Sequence, residues 1–459
     1  MIFSSSVFLF VFLPAVLLVY FISPKKLRNT VLLLASLFFY AWGEPVNVLV
    51  MIASILVNYG VSLWMDKSGR GRKPLLVLLL LLNLGTLFWF KYLNFAVDTI
   101  SAITGAALNI RRVALPIGIS FFTFQILSYD IDVYRGKVTA QRNVISLGLY
   151  ISLFPQLIAG PIVRYVDIEK EIRSRSCSID KAYEGFRRFA IGFAKKVLIA
   201  DQLGMLADTV FGGAVPSIWS HWIGIIAYTL QIYYDFSGYS DMAIGLGKCF
   251  GFTFLENFDH PYISRSVRDF WRRWHISLSS WFRDYLYIPL GGNRKGAVRT
   301  YLNLLIVFFV TGLWHGASFN FIVWGLYYGL FLILERIGFG RLLEKTPRFL
   351  QHLYTLLIVV VGWVFFRADT LEAAVQYLRG MIVPAGNDLA AFLYIMDARY
   401  WFFLAAGVLC AVPYTKLHAF LQGRKAGILL TDAAVILVFL LAICFMLGSG
   451  YSPFLYFRF

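Results

Sequence analysis

Charged side chains are scarce in this chain: they make up 15% of its 459 residues, against about 25% in an average soluble domain. Hydrophobic residues account for 59%, against about 45–50% in soluble chains. That composition excludes an ordinary water-soluble globule and is that of an integral membrane protein. Acid is the rarer sign, with 25 Asp and Glu against 42 Lys and Arg, a net charge of +17. In a membrane protein such an excess belongs to cytoplasmic loops and to contact with anionic headgroups. Membrane lipids are therefore expected partners, and nucleic acid is not implied. The four cysteines, Cys177, Cys249, Cys410 and Cys444, lack metal-ligand or redox spacing and read as packing residues. No linker rich in Pro, Ser or Gly divides the chain, so one continuous bundle is expected. The absence of an internal repeat at a fixed period weakens a transporter built from inverted repeats. Neither a serine-centred elbow nor a pair such as His-Glu-x-x-His is present, which leaves hydrolase and metalloenzyme readings unsupported and no metal expected.

What is there is a succession of apolar runs. The first, residues 2–22, lacks a basic leader and is followed by more such runs, so it reads as an uncleaved span. Basic loops after it (Lys25, Lys26, Arg28) and at 67–73 flank a two-span hairpin at 31–42 and 46–64, which places both loops in the cytoplasm and the N-terminus outside. Spans follow at 75–90, 113–129, 191–211 and 223–250, then at 353–366, 400–412 and 428–447, with cytoplasmic or amphipathic connections at 164–188, 336–348, 367–399 and 416–425. Pro116-Ile117-Gly118 and Phe154-Pro155-Gln156-Leu157-Ile158-Ala159-Gly160-Pro161 interrupt their runs, and broken helices at membrane depth are tolerated only where they line protein or a cavity. The count is about eleven spans plus re-entrant pieces.

The centre of the chain is the apolar run 302–334, which carries Thr311-Gly312-Leu313-Trp314-His315-Gly316-Ala317-Ser318-Phe319-Asn320. An ionisable imidazole in lipid-compatible sequence is a functional candidate. Gly312, Gly316, Ala317 and Ser318 would let a helix or a substrate approach its backbone. A histidine hydrogen-bonded inside a helix bundle explains His315 equally well. Upstream, Tyr233-Tyr234-Asp235-Phe236-Ser237-Gly238-Tyr239-Ser240-Asp241 puts two carboxylates in an apolar run, with Asp235 and Tyr239 on one helical face. For these the sequence favours a helix end at the membrane interface. Residues 262–300 carry eight basic side chains against Asp269 and Asp284. Trp271, Trp274, Leu278, Trp281 and Tyr285 recur there at helical spacing, the pattern of one helix lying among headgroups, with His275 beside the stripe. It ends at Pro289-Leu290-Gly291-Gly292-Asn293-Arg294-Lys295-Gly296. Such a loop can offer amides and cations to phosphate, which makes Arg272, Arg273, Arg294 and Lys295 candidate donor-phosphate ligands.

His275 and His315 together suit acyl transfer from a phosphate-bearing cytoplasmic donor to a hydroxyl, with an imidazole taking the hydroxyl proton. The motifs Leu313–Asn320 with Trp324-Gly325, Tyr234–Asp241 and Phe270-Trp271-Arg272-Arg273-Trp274-His275-Ile276-Ser277-Leu278 resemble those of the membrane-bound O-acyltransferase family. Within it they resemble the bacterial branch that acetylates alginate and, more distantly, the D-alanyl transfer branch of teichoic acids. The resemblance spans nearly the whole chain, Pro453-Phe454-Leu455-Tyr456-Phe457 included. It implies a single domain, residues 1–459, with the fold of an all-α polytopic membrane protein, a bundle of transmembrane helices with re-entrant and interfacial helices. It implies that His315 is the catalytic family histidine and that His275 falls at the family's second position. Asp235, Tyr239, Trp271, Trp274, Trp314 and Asn320 are carried over as tunnel or supporting positions. The resemblance further implies no bound cofactor, acetyl-CoA as acyl-donor substrate, the bacterial inner membrane, and an extracytoplasmic acetyltransferase or acyl-acceptor partner that modifies an exported polysaccharide. D-alanyl transfer to teichoic acid is the alternative within the class. A polysaccharide or acyl-donor transporter is the alternative outside it, which would place charged residues along a whole conduit.

Overall fold

The computed structural model describes residues 1–451 apart from 70, 109, 214–216 and 385–387, and omits the side chains of 388, 391, 416–418 and 422. The terminal motif at Pro453–Phe457 lies outside the described residues. Among the described residues every regular element is a helix. Six helices are long and apolar enough to cross a membrane: Asn47–Lys67, Arg72–Thr104, Ala297–His315, Phe319–Leu343, Arg348–Arg367 and Lys425–Gly448. Shorter apolar helices run over Phe8–Ile22, Arg28–Ala41 and Ala398–Cys410. The chain is a multi-pass, all-α membrane protein. It falls into two compact units, Met1–Phe189 with Met242–Leu255, and Ala190–Asp241 with Glu256–Phe459.

In the first unit both interrupted segments have a backbone cause. Gly118 adopts φ 74°, a left-handed conformation that costs a residue with a Cβ about 1–2 kcal/mol. The helix expected from residue 113 therefore starts only at Ile119 and runs to Tyr134. A Cβ at Gly118 would also lie 2.9 Å from the Leu157 carbonyl oxygen, so the two segments picked out by their prolines and glycines pack on each other. Val144–Ser152 is nine residues long, about 14 Å at 1.5 Å per residue, half of a hydrocarbon core of about 30 Å. Phe154–Leu157 is a separate turn of helix. That length fits a re-entrant piece and not a crossing. The single amphipathic helix expected over 164–188 is two helices, Tyr165–Arg173 and Ile179–Ala194.

The second unit departs from the sequence reading in three places. Residues 302–334 are not one helix but two, Ala297–His315 and Phe319–Leu334, which fold back on each other. Glycine makes the approach possible: a Cβ on Gly312 would strike the Phe321 carbonyl, and one on Gly325 would strike the Phe308 carbonyl. His315 is thus the last residue of a helix at a hairpin turn, not the midpoint of a run. The supposed interfacial helix of 262–289 is also broken, into Val267–Arg273 and Ile276–Phe282 with Trp274 and His275 between them. Its aromatic stripe is buried within the protein, Trp271 at 8% and Trp274 at 3% exposure. Finally, Asp235 is not at a helix end, because Ile218–Cys249 runs unbroken through it. The loop expected at 416–425 includes the helix Thr415–Gln422, and the 336–348 loop begins as a continuation of helix through Leu343.

Candidate functional site

His275 is positioned by its backbone and by one asparagine. Ser266 caps Val267–Arg273, its hydroxyl accepting from the Asp269 amide at 3.0 Å, and the chain leaves that helix through Trp274. His275 then takes φ 45°, ψ 55°, a left-handed conformation rare for a residue with a side chain. Such strain persists where surrounding contacts over-determine it and concentrates at functional sites. Here Asn257 supplies the contacts. Its backbone carbonyl accepts from the Ile276 amide at 3.0 Å. Its Oδ1 accepts from the Ser277 amide at 3.2 Å and the Ser277 hydroxyl at 2.8 Å. Its Nδ2 donates to the Ser240 hydroxyl at 3.0 Å.

Because the Ser277 amide can only donate, the atom it meets is the Asn257 oxygen. The His275 Nδ1 that lies 3.1 Å from the same oxygen must therefore carry the hydrogen. Nε2 is left with the lone pair, buried and without a hydrogen-bond partner among the described residues. Burial pushes the imidazole pKa down to about 3. His275 is accordingly a neutral imidazole with its open nitrogen fixed in direction. Phe236 meets its ring edge-on with centroids 4.7 Å apart.

His315 has a different setting. Its ring, 5% exposed, packs edge-to-face on Trp314 at 5.0 Å, Trp324 at 4.9 Å and Phe366 at 5.2 Å. The hairpin places these groups: Trp314 precedes His315, Trp324 comes from the returning helix, and Phe366 from Arg348–Arg367. Gly316 has no Cβ to obstruct the Phe321 ring, which covers the turn. Asn320 donates to the Ala368 carbonyl at 2.6 Å and ties the start of the returning helix to the end of Arg348–Arg367.

The two histidines share Trp314, whose indole also lies 5.9 Å from the His275 ring. Trp271 joins through Trp324 at 5.7 Å, and Trp274 through Trp363 at 4.9 Å, itself 6.2 Å from Trp324. The indole N–H groups of Trp271 and Trp324 are buried with no acceptor among the described residues. The structure thus gathers His315, His275, Trp314, Trp271 and Trp274 into one aromatic enclosure with polar edges.

The remaining candidates sit elsewhere. Asp235 accepts an ion pair from Lys196 at 2.8 Å, and Lys196 also reaches Asp201 at 2.6 Å, with all three side chains at most 5% exposed. Gly238 allows this meeting, since a Cβ there would lie 2.7 Å from the Gly192 carbonyl oxygen. Asp235 therefore locks two helices together, and its chain neighbour Phe236 is the residue that touches His275. Tyr239 is buried one turn further along that helix. Arg273 is engaged with Asp259 at 2.9 Å and Asp269 at 3.1 Å. Arg272, Arg294 and Lys295 are exposed. Gly291 at φ 105°, Gly292 at φ 56° and Gly296 at φ 86° shape the loop, and the Asn303 amide holds it through the Gly292 carbonyl at 2.9 Å.

Sequence reasoning missed Asn257, Lys196 and the cage residues Trp363 and Phe366, and it quoted Trp324 only within a motif. For Lys196 a signal existed, a lysine inside the apolar run 191–211 that needs a buried partner. Among the described residues no three His, Cys, Asp or Glu side chains are grouped so as to hold a metal ion.

The profile of the membrane-bound O-acyltransferase family matches residues 141–368, which include both histidines. The chain is similar over its full length to the Pseudomonas putida protein named "Probable alginate O-acetylase AlgI", with 44% identity and 100% of each chain covered. A Helicobacter pylori peptidoglycan O-acetyltransferase is 35% identical over 85% of this chain and 81% of its own. A Bacillus subtilis teichoic acid D-alanyltransferase is 30% identical over 47% of this chain and 58% of its own.

Proposed function

Since the chain belongs to the membrane-bound O-acyltransferase family, in its alginate O-acetylation branch, we propose that this O-acyltransferase passes an acetyl group across the bacterial inner membrane for O-acetylation of an exported polysaccharide such as alginate. Membership makes it an enzyme and removes the transporter reading. The donor is acetyl-CoA, used as a substrate with no resident cofactor, and the acceptor is an extracytoplasmic acetyltransferase or acyl-carrying protein that completes the modification. The N-terminus faces outward, in keeping with the basic loops at Lys25–Arg28 and 67–73.

The observation that carries this reading is the pair of imidazoles on either edge of Trp314. His315 acts as general base: it takes the proton of the acceptor hydroxyl as that oxygen attacks the thioester carbonyl, the C–O bond forms, the C–S bond breaks, and the proton passes to the departing thiolate. His275, neutral and with its Nδ1 held by Asn257, keeps its Nε2 lone pair to orient a donor group of the acceptor or of bound water. The N–H groups of Trp271 and Trp324, which have no acceptor among the described residues, are suited to donate to a carbonyl oxygen once substrate is present.

D-alanyl transfer is the weaker reading, because the D-alanyltransferase relative aligns with only 47% of the chain whereas the O-acetylase relative aligns with all of it. A strain whose only copy is His315→Ala is expected to export polysaccharide without O-acetyl groups while the protein inserts normally. Normal acetylation in that strain would remove His315 from the chemistry.

A further inference from the structure

A second concave site lies apart from the histidines. A cavity of about 710 Å³ in the second unit is lined by Arg265, Arg268, Arg336 and Arg341 together with Leu304, Leu332 and Leu343. Two carboxylates share it, Glu335 and Glu344. Glu335 is already committed: it accepts from the Val267 amide at 2.7 Å, the Arg268 amide at 3.0 Å and the Tyr354 hydroxyl at 3.3 Å. It holds the start of Val267–Arg273 through those amides. Among the described residues none of the four arginines forms an ion pair with a carboxylate. Four cations against two anions in one basin leave an excess of positive charge.

The surroundings narrow the ligand. Arg336 and Arg341 lie at the far end of Phe319–Leu343 from the His315 turn, and Phe319–Leu334, with 16 residues, is about 24 Å long. Leu304 and Leu332 belong to helices able to cross a membrane, so the basin joins arginines to leucines of apolar helices. Arginine forks match phosphate oxygens in pairs, and the leucines fit an attached apolar or flexible part. We propose that this cavity is a binding site for a phosphate ester carried on a long, partly apolar molecule. The chemistry is common to two sources, the nucleotide phosphates of a coenzyme A donor and the headgroup of an anionic phospholipid. The first source rests on the acetyl-CoA reading above; the second does not.

The sequence placed phosphate recognition in the loop Pro289–Gly296, of which Asn293 alone lines this cavity. The arginines that do line it come from two separated stretches, which only folding brings together.

The test uses the full-length protein purified in neutral detergent, with coenzyme A and phosphatidylglycerol as probes. Coenzyme A binding is measured by equilibrium titration, and retained phosphatidylglycerol by native mass spectrometry. In Arg336→Gln/Arg341→Gln, affinity for one probe is expected to fall at least about tenfold, because both guanidiniums lose their charge-assisted hydrogen bonds to phosphate. Loss confined to coenzyme A identifies the donor as the occupant. Loss confined to phosphatidylglycerol identifies a lipid site and stands even if the protein binds no coenzyme A, so the failure of the donor reading is separable. Arg336→Lys/Arg341→Lys, which keeps the charge and loses the fork, should fall between wild type and the glutamine variant, and it replaces that variant if the latter does not fold. Wild-type protein that binds neither probe, or variants that bind both as wild type does, would overturn the proposal.

Discussion

His275 and His315 touch the same indole, yet the protein frames them with different surroundings. His275 is fixed by hydrogen bonds: a left-handed backbone, an asparagine that dictates its tautomer, and two serines that dictate the asparagine. His315 is the last residue of a helix, its ring packed among Trp314, Trp324 and Phe366. The Asn257 contact specifies which His275 nitrogen is open, while three aromatic rings confine the His315 ring. The difference suits a division of labour in which one imidazole keeps one protonation state and the other changes it. Variants should therefore separate the two: disturbing packing should affect His315 first, and disturbing the polar network should affect His275.

The largest effect is expected from the hairpin. Gly312→Val forces a branched side chain against the Phe321 carbonyl, and overpacking of this kind costs about 1–3 kcal/mol. Thermal stability should drop, and transfer should drop with it as Trp324 moves off His315. Unchanged activity in Gly312→Val would mean that the cage is not what positions His315.

A smaller effect is expected from Asn257→Ala, which removes the acceptor of the His275 Nδ1–H. The loss of one buried hydrogen bond, about 1.4 kcal/mol, predicts about a tenfold fall in kcat/KM. Double substitution with His275→Ala should add little further, since both act through one ring. Full additivity would show that Asn257 serves the fold and not His275.

The smallest is a pH effect. The imidazole of His275 has its pKa pushed from 6.5 to about 3 by burial. Between those values the unfolded chain binds the proton and the folded one does not, so stability rises with pH across that window and is lost on acidification below about 6.5. Melting temperature measured from pH 7 to pH 5 should fall in wild type and fall less in His275→Gln. Equal slopes would place a charged His275 in the folded protein.

The sequence made His315 visible because an imidazole in an apolar run has few inexpensive environments, and Gly312 visible because small residues beside it permit close approach. It did not show that the run breaks after His315. Gly316-Ala317-Ser318 contains no proline, and small residues serve a continuous helix as readily as a turn. Trp271 and Trp274 were legible as a helical stripe, but an aromatic stripe looks the same whether it faces headgroups or a protein interior. The break at His275 has no glycine to mark it, because its left-handed backbone is held from outside by Asn257, a contact made across the fold. For the same reason Asp235 resembled a helix end until its partner Lys196 was in place. Local chemistry was readable; the partners that give it direction were not.

The most direct test is transfer of labelled acetyl from acetyl-CoA in proteoliposomes, comparing wild type with His315→Ala in the presence of the extracytoplasmic partner and polymer. General-base catalysis contributes about 10²–10⁴-fold, so label reaching the proposed partner or polymer should fall at least about a hundredfold in the variant while His275→Ala retains more. Equal transfer by His315→Ala and wild type would contradict the account.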